Sequence, residues 1–291
     1  MYREVINLVN TMLLIAVILG VTIQQMTKKS YNLKIQNGAY GFGAMSSLVA
    51  LVVFIITSGG NLNFSWDVVP YSFLFAISYS AAVVFSILAI VEGPLALTSL
   101  MIQYSLMVPT VYGFFGDAKP SLFLFIGIAF LLVSLVFINL NKKGGKGISF
   151  KWGIYAFVAF LGNGFCSTFQ MIQQDKFDGG YKSEFMIIAY LISAIIMLVM
   201  ALFKERKQLG KEIGKGALMW FICGAANGVV NLFVMMLKTN KMPEFIMFPL
   251  ISAGGIIATF VVSLFIYKEK MTKHQNIGLI LGVISVIFLN L

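Results

Sequence analysis

Apolar runs of roughly 17–25 residues recur along this chain, parted by short polar, glycine- or proline-bearing breaks, and each is long enough to cross the ~30 Å hydrocarbon core of a bilayer as a helix. Inside lipid every backbone N–H and C=O must find its partner within the protein, so such a run folds as a helix or as part of a closed barrel. A barrel needs sustained polar–apolar alternation, and the chain has none. Composition agrees: 59% of residues are hydrophobic and 11% charged, where a soluble domain carries about 25% charged residues. The expected fold class is all-α integral membrane.

Ten transmembrane helices are expected, at roughly 4–27, 36–58, 67–91, 94–115, 121–140, 151–174, 183–203, 215–238, 243–267 and 274–291. Gly59-Gly60 ends the second, and Pro120 opens the fifth. Pro94 and Pro243 stand in the first turns of the fourth and ninth, where a missing N–H is tolerated. The first run, Val5 to Gln25, has no small-residue cleavage site and reads as a retained helix rather than a secretory leader.

The chain also repeats itself. Residues 126–140 (IGIAFLLVSLVFINL) and 277–291 (IGLILGVISVIFLNL) align at an offset of 151 with six identities: Ile126/Ile277, Gly127/Gly278, Ser134/Ser285, Phe137/Phe288, Asn139/Asn290 and Leu140/Leu291. Thr22-Ile23-Gln24 matches Thr168-Phe169-Gln170, and Val83-Val84 matches Val229-Val230. The reading is a duplicated five-helix unit: a first repeat at 1–140, a basic linker at 141–150 and a second repeat at 151–291. An odd number of helices sends the second unit into the membrane from the opposite side. The units are then two inverted five-helix repeats, an arrangement in which secondary transporters hold solute near the midplane between halves.

The segment Tyr267-Lys268-Glu269-Lys270-Met271-Thr272, followed by Gln275 and Gly278, resembles the drug/metabolite transporter superfamily, EamA type. There each half ends on a Gly-Glu-Arg-Leu-Thr-like turn, then Gln and Gly. Here Lys270 replaces the arginine and the glycine is substituted; Gly116-Asp117-Ala118-Lys119-Pro120 is a looser counterpart in the first half. The resemblance implies a ten-helix transporter in which helices one, three, four, six, eight and nine line a central cavity.

The net charge is +10, from 21 basic and 11 acidic residues. No nucleic-acid recognition motif accompanies it, and the basic residues lie between apolar runs, where they set topology. The side holding both termini has six (Arg3, Lys119, Lys176, Lys182, Lys238 and Lys241) and the other side has fifteen. Positive charge favours the cytoplasm, so both termini of a multi-pass cell (inner) membrane protein are expected to be extracytoplasmic.

No catalytic constellation is present: no HExxH, nucleophile elbow, P-loop or CxxC, and one histidine, His274, at the mouth of the last helix. No metal set, cofactor or enzymatic activity is expected. Cys166 and Cys223 both fall inside apolar runs and read as buried free thiols.

Polar residues instead stripe helices that lipid alone would leave apolar. Asn163, Cys166, Ser167, Gln170, Gln173 and Gln174 share one face of the sixth helix, and Gly224, Asn227, Gly228 and Asn231 one face of the eighth. Ser78, Tyr79 and Ser86 mark the third, Ser99, Gln103, Tyr104 and Thr110 the fourth, and Gln24 and Gln25 the end of the first. Such residues either bond helix to helix or converge on a solute. The candidate solute-binding set is Tyr79, Gln103, Tyr104, Asn163, Gln170, Asn227 and Asn231, with Glu92 offered by position for coupling. No charged residue is expected deep in a helix; Glu4, Glu92, Glu184 and Glu244 fall near helix ends, within reach of interfacial water. Such a cavity suits a neutral, zwitterionic or amphipathic solute. Gly224-xxx-Gly228 and Gly278-xxx-Gly282 read as packing surfaces, the latter also offering a homodimer face on the last helix.

The expected function is secondary transport of a small organic metabolite or drug-like solute, outward, by alternating access. The partners are that solute and the lipid bilayer, without nucleic acid. The alternatives are a non-transporting membrane assembly subunit and a lipid-modifying membrane enzyme. The enzyme would need a histidine, acid or cysteine cluster at one interface.

Overall fold

A computed structural model describes residues 2–35, 38–113, 122–139, 149–269 and 272–289. Of these, 87% are helical, and no strand occurs among them. The helices are α1 (Tyr2–Ile35), α2 (Ala39–Thr57), α3 (Val69–Glu92), α4 (Leu95–Tyr104), α5 (Met107–Gly113), α6 (Leu122–Asn139), α7 (Phe150–Lys176), α8 (Lys182–Lys204), α9 (Leu209–Thr239), α10 (Glu244–Phe265) and α11 (Lys273–Leu289). The expected turn at 116–120 and most of the basic linker, 141–148, lie outside the described residues.

Seven stretches among the described residues are long and apolar enough to cross a membrane, α4 and α5 counting together as one. α7 is not one of them, although it runs for 27 residues. Its inward stripe of Asn163, Ser167, Gln170, Gln173 and Gln174 lowers its mean hydropathy, which is what a helix lining a polar interior looks like.

Three expected boundaries need correction; the simplest is α9, which begins at Leu209 rather than at 215. α1 does not stop near residue 27 but continues to Ile35. Gln, Lys and Met are good helix formers, so nothing in Gln24–Lys29 breaks the helix, and the turn comes only at Gly38, whose φ of 111° is left-handed. The expected fourth helix is two pieces, interrupted at Ser105 and Leu106. Pro109 has no N–H to offer the Ser105 carbonyl four residues earlier, and its ring crowds that carbonyl. The chain tightens there into i→i+3 bonds, Ser105 N–H to Ile102 O at 3.1 Å and Leu106 N–H to Gln103 O at 3.2 Å.

The two helices that match in sequence, α6 and α11, lie antiparallel. Ser134 Oγ donates to Gly278 O at 2.6 Å, and Ser285 Oγ donates to Gly127 O at 2.7 Å. Glycines set the other close approaches. A Cβ on Gly162 of α7 would sit 2.7 Å from Ser78 O and Ala82 N of α3, and one on Gly20 of α1 would sit 2.5 Å from Val230 of α9. Gly224 and Gly228 press α9 onto Ser46, Val49 and Val53 of α2, as expected for a packing surface. Gly282 faces Tyr104, Leu100 and Ser134 within the chain, while Ile277 and Ile280 of the same helix point outward.

Candidate functional site

α1, α3, α4, α7, α9 and α10 converge on one cavity of about 100 Å³. One water needs ~10–15 Å³ by this measure, so the space admits several waters or a small organic molecule. α1 contributes Val17, Val21, Gln24, Gln25 and Lys28, four of them at the i, i+4, i+7, i+11 spacing of one helical face. α3 contributes Tyr79 and Ser86, and the broken end of α4 contributes Ile102, Gln103 and Leu106. α7 gives Asn163, Cys166, Ser167 and Gln170; α9 gives Asn227, Val230, Asn231 and Val234; α10 gives Phe248 and Ile251.

The amides are held by one another and by tyrosines. Asn227 Nδ2 donates to the hydroxyls of Tyr79 and Tyr190, each at 2.9 Å. Asn231 Nδ2 donates to Tyr190 at 3.0 Å and to Asn227 Oδ1 at 3.2 Å. Gln170 Nε2 donates to Asn231 O at 3.2 Å. Asn163 Nδ2 donates to Ser105 Oγ at 2.7 Å, using a hydroxyl that the α4–α5 break presents. The rings of Tyr79 and Tyr190 meet edge to face, 5.3 Å apart. The network ties α3, α7, α8 and α9 together at mid-depth.

At the end of the bundle where α1 and α3 finish, polar bonds close the cavity. Lys28 Nζ donates to Ser86 Oγ at 3.0 Å, and one turn on, Asn32 Nδ2 donates to Ile87 O at 3.1 Å. Lys29 pairs with Glu269 at 3.1 Å, and Glu269 also accepts from the Leu95 N–H at 2.9 Å, capping α4. Beside it the Tyr267 hydroxyl donates to Met26 O at 2.7 Å, and burial raises its pKa. Glu205 plays the same part for α2, accepting from Tyr40 N–H at 3.2 Å and Gly41 N–H at 2.8 Å. At the opposite end Lys238 pairs with Asp175 at 2.6 Å and with Glu244. There an apolar cluster including Leu13, Leu106, Met171, Leu237 and Met247 packs across the bundle.

Of the seven candidate binding residues, Tyr79, Gln103, Asn163, Gln170, Asn227 and Asn231 line this cavity. Tyr104 does not: its hydroxyl bonds Ser134 Oγ at 2.9 Å and abuts Gly282, on the outer side of α4. Ile102, Gln103 and Leu106 make up the cavity face of α4, and Tyr104, a further ~100° round the helix, falls past its edge, beside Leu100. Glu92 does not face the cavity either. It ends α3, pairs with Lys151 at 2.8 Å and lines a separate recess with Lys204, Glu205 and Glu212. Glu244 is buried and ion-paired rather than solvated. His274 is exposed in the first turn of α11. Both cysteines are free and buried. Among the described residues no cluster of three metal-ligating side chains occurs.

Sequence reasoning overlooked Lys28 and Tyr190. Lys28 is 7% exposed and stands in the cavity wall, which corrects the expectation that no charge lies deep in a helix. Its signal was present: Val17, Val21, Gln24 and Lys28 continue one stripe. Tyr190 offers no more sequence signal than a phenol within the apolar α8.

A helical bundle with apolar outer faces around a polar cavity defines a polytopic membrane protein with a solute-sized interior. The EamA-like transporter family, of the drug/metabolite transporter superfamily, has a model that matches residues 150–291, so that half of the chain is EamA-like. A solved crystal structure, 13% identical, shares the fold with a TM-score of 0.69 over 96% of this chain and 95% of the other. No curated protein matches the chain in sequence.

Proposed function

We propose that the chain is a secondary transporter of ten transmembrane helices, built as inverted repeats at 1–140 and 151–291, that moves a small organic solute by alternating access around the central cavity. The observation that carries this reading is the convergence of six helices, three from each half, on one pocket lined by amides, hydroxyls and apolar groups. A purely structural polar stripe would be consumed in helix-to-helix bonds. Here Gln25 Oε1 and Gln103 Nε2 are buried without a partner beside open space.

The inverted repeat is supported by the bonds between α6 and α11. Ser134 and Ser285 are equivalent in the sequence repeat, as are Gly127 and Gly278, and each serine bonds the other half's glycine. Exchange of one bond between equivalent positions is the mark of a two-fold axis. Likewise α1 packs on α9 as α7 packs on α3. The discontinuity between α4 and α5 lies at the cavity, where transporters place broken helices.

With Lys28 counted in the cavity wall, the basic residues divide fourteen to six, and both termini are proposed to be extracytoplasmic. Outward movement is the direction that the family resemblance implies. The test is a thermal-shift screen of the purified protein against amino acids, nucleosides, sugars, amines and organic acids. A solute that binds the folded form raises its melting temperature, and Asn227→Leu or Gln170→Leu should abolish the shift. A shift that both variants retain would place the site elsewhere.

A further inference from the structure

We propose that the cavity selects its solute by a carboxylate, which pairs with Lys28; this rests on the cavity being the transport site. Lys28 is the one charged residue lining the cavity. Its Nζ has three protons to donate, and within the chain it donates to Ser86 Oγ at 3.0 Å. Among the described residues no carboxylate lies within 4.0 Å of it; the adjacent Lys29 takes Glu269 instead. A buried cation without an opposite charge is costly, and the duplication does not account for it. At the offset set by Thr22/Thr168, the equivalent residue in the second half is the neutral Gln174.

The lining fixes the rest of the solute. One cation set among neutral amides balances a monoanion and leaves the second charge of a phosphate or dicarboxylate unpaired. Val17 and Lys28 are eleven residues apart on α1, about 16 Å at 1.5 Å per residue. The Lys28 end is polar, with Gln24, Gln25 and Ser86, while the Val17 end is apolar, with Leu106, Val234 and Phe248. Asn163, Gln170 and Asn231 lie between. The class that fits is a small amphipathic monocarboxylate, zwitterions included, its carboxylate at Lys28 and its apolar end toward Phe248. Lipophilic cations, which the overall family resemblance leaves open, are disfavoured.

The experiment measures binding to the purified full chain by thermal shift, using butyrate, octanoate, phenylacetate, leucine and phenylalanine, each beside its primary amide. Inorganic phosphate, tetraphenylphosphonium and a neutral nucleoside are run alongside. At least one acid should raise the melting temperature while its amide does not. Lys28→Gln should weaken that acid about 10- to 100-fold, the range expected for a charge-assisted hydrogen bond, and Lys28→Arg should retain most of the affinity. Lys28→Gln and Lys28→Met, checked by size-exclusion profile, should melt without solute no lower than the parent, because each removes an unpaired buried charge. Amides or the cation binding as well as the acids, a response to phosphate alone, or unchanged binding by Lys28→Gln would overturn the carboxylate site and leave the transporter reading standing. Silence across every acid and every neutral and cationic probe would overturn both.

Discussion

Replacing Asn227 with leucine keeps the side chain close to its original size and removes three hydrogen bonds. Two are donated to Tyr79 and Tyr190 at 2.9 Å, and one is accepted from Asn231 at 3.2 Å. Helix-to-helix hydrogen bonds in membranes average ~0.6 kcal/mol, so the expected loss is about 2 kcal/mol. Tyr190 keeps its bond from Asn231 at 3.0 Å, which stops the loss from growing further. Unfolding by a sodium dodecyl sulfate titration, followed through Trp152 and Trp220, measures it. Tyr190→Phe alone and combined with Asn227→Leu completes a double-mutant cycle, in which the shared bond should appear as a coupling of ~0.6 kcal/mol. A variant within ~0.5 kcal/mol of the parent, with zero coupling, would refute the claim that this network holds α3, α8 and α9 in register.

Other expectations follow from the same contacts. Glu269→Ala removes the carboxylate that caps α4 and pairs Lys29, and should cost about 2 kcal/mol in the same titration, whereas Glu269→Asp should recover part of it. Gly224→Ala drives a methyl into the Ser46 carbonyl, which is backbone and cannot yield, so a loss of about 1–3 kcal/mol is expected. Gly214→Ala, with open space around the position, should be neutral or stabilising by up to ~1 kcal/mol. Gly255→Ala meets the end of the Gln103 side chain, which can swing away into the cavity; stability should change little while affinity for the bound solute falls. Fusions of alkaline phosphatase to either terminus should be active in cells, and inactive fusions at both ends would reverse the proposed orientation.

Much of the fold was legible because lipid leaves the backbone few choices. Apolar runs, glycine pairs and first-turn prolines marked most helix ends to within a few residues. The end of α1 was misplaced because Lys28-Lys29 looked like an interfacial stop, and charge alone does not end a helix. The α4–α5 break had its cause in plain view at Pro109, but a proline in an apolar run does not say whether the helix kinks or separates. Helical period fixes which residues share a face, so the stripes on α7 and α9 bring Asn163, Ser167, Gln170, Asn227 and Asn231 to the cavity wall, while Gln173 and Gln174 are not part of it. Tyr104 was included because it adjoins Gln103 in sequence, but the cavity face of α4 is Ile102, Gln103 and Leu106, and Tyr104 lies past its edge. Glu92 was offered for coupling by its position in the chain alone, and position does not reveal that Lys151 lies within reach.

The central claim is that the polar pocket is a pathway open in turn to both sides of the membrane. Ser167, on its wall, can be made the sole thiol by Ser167→Cys with Cys166→Ala and Cys223→Ala. In oriented membrane vesicles a charged, membrane-impermeant methanethiosulfonate is then applied from each side separately. Modification from both sides is expected, slowed by any solute that raises the melting temperature. Modification from neither side, in protein that a membrane-permeant maleimide still labels after detergent solubilisation, would contradict it and leave the pocket a sealed piece of helix packing.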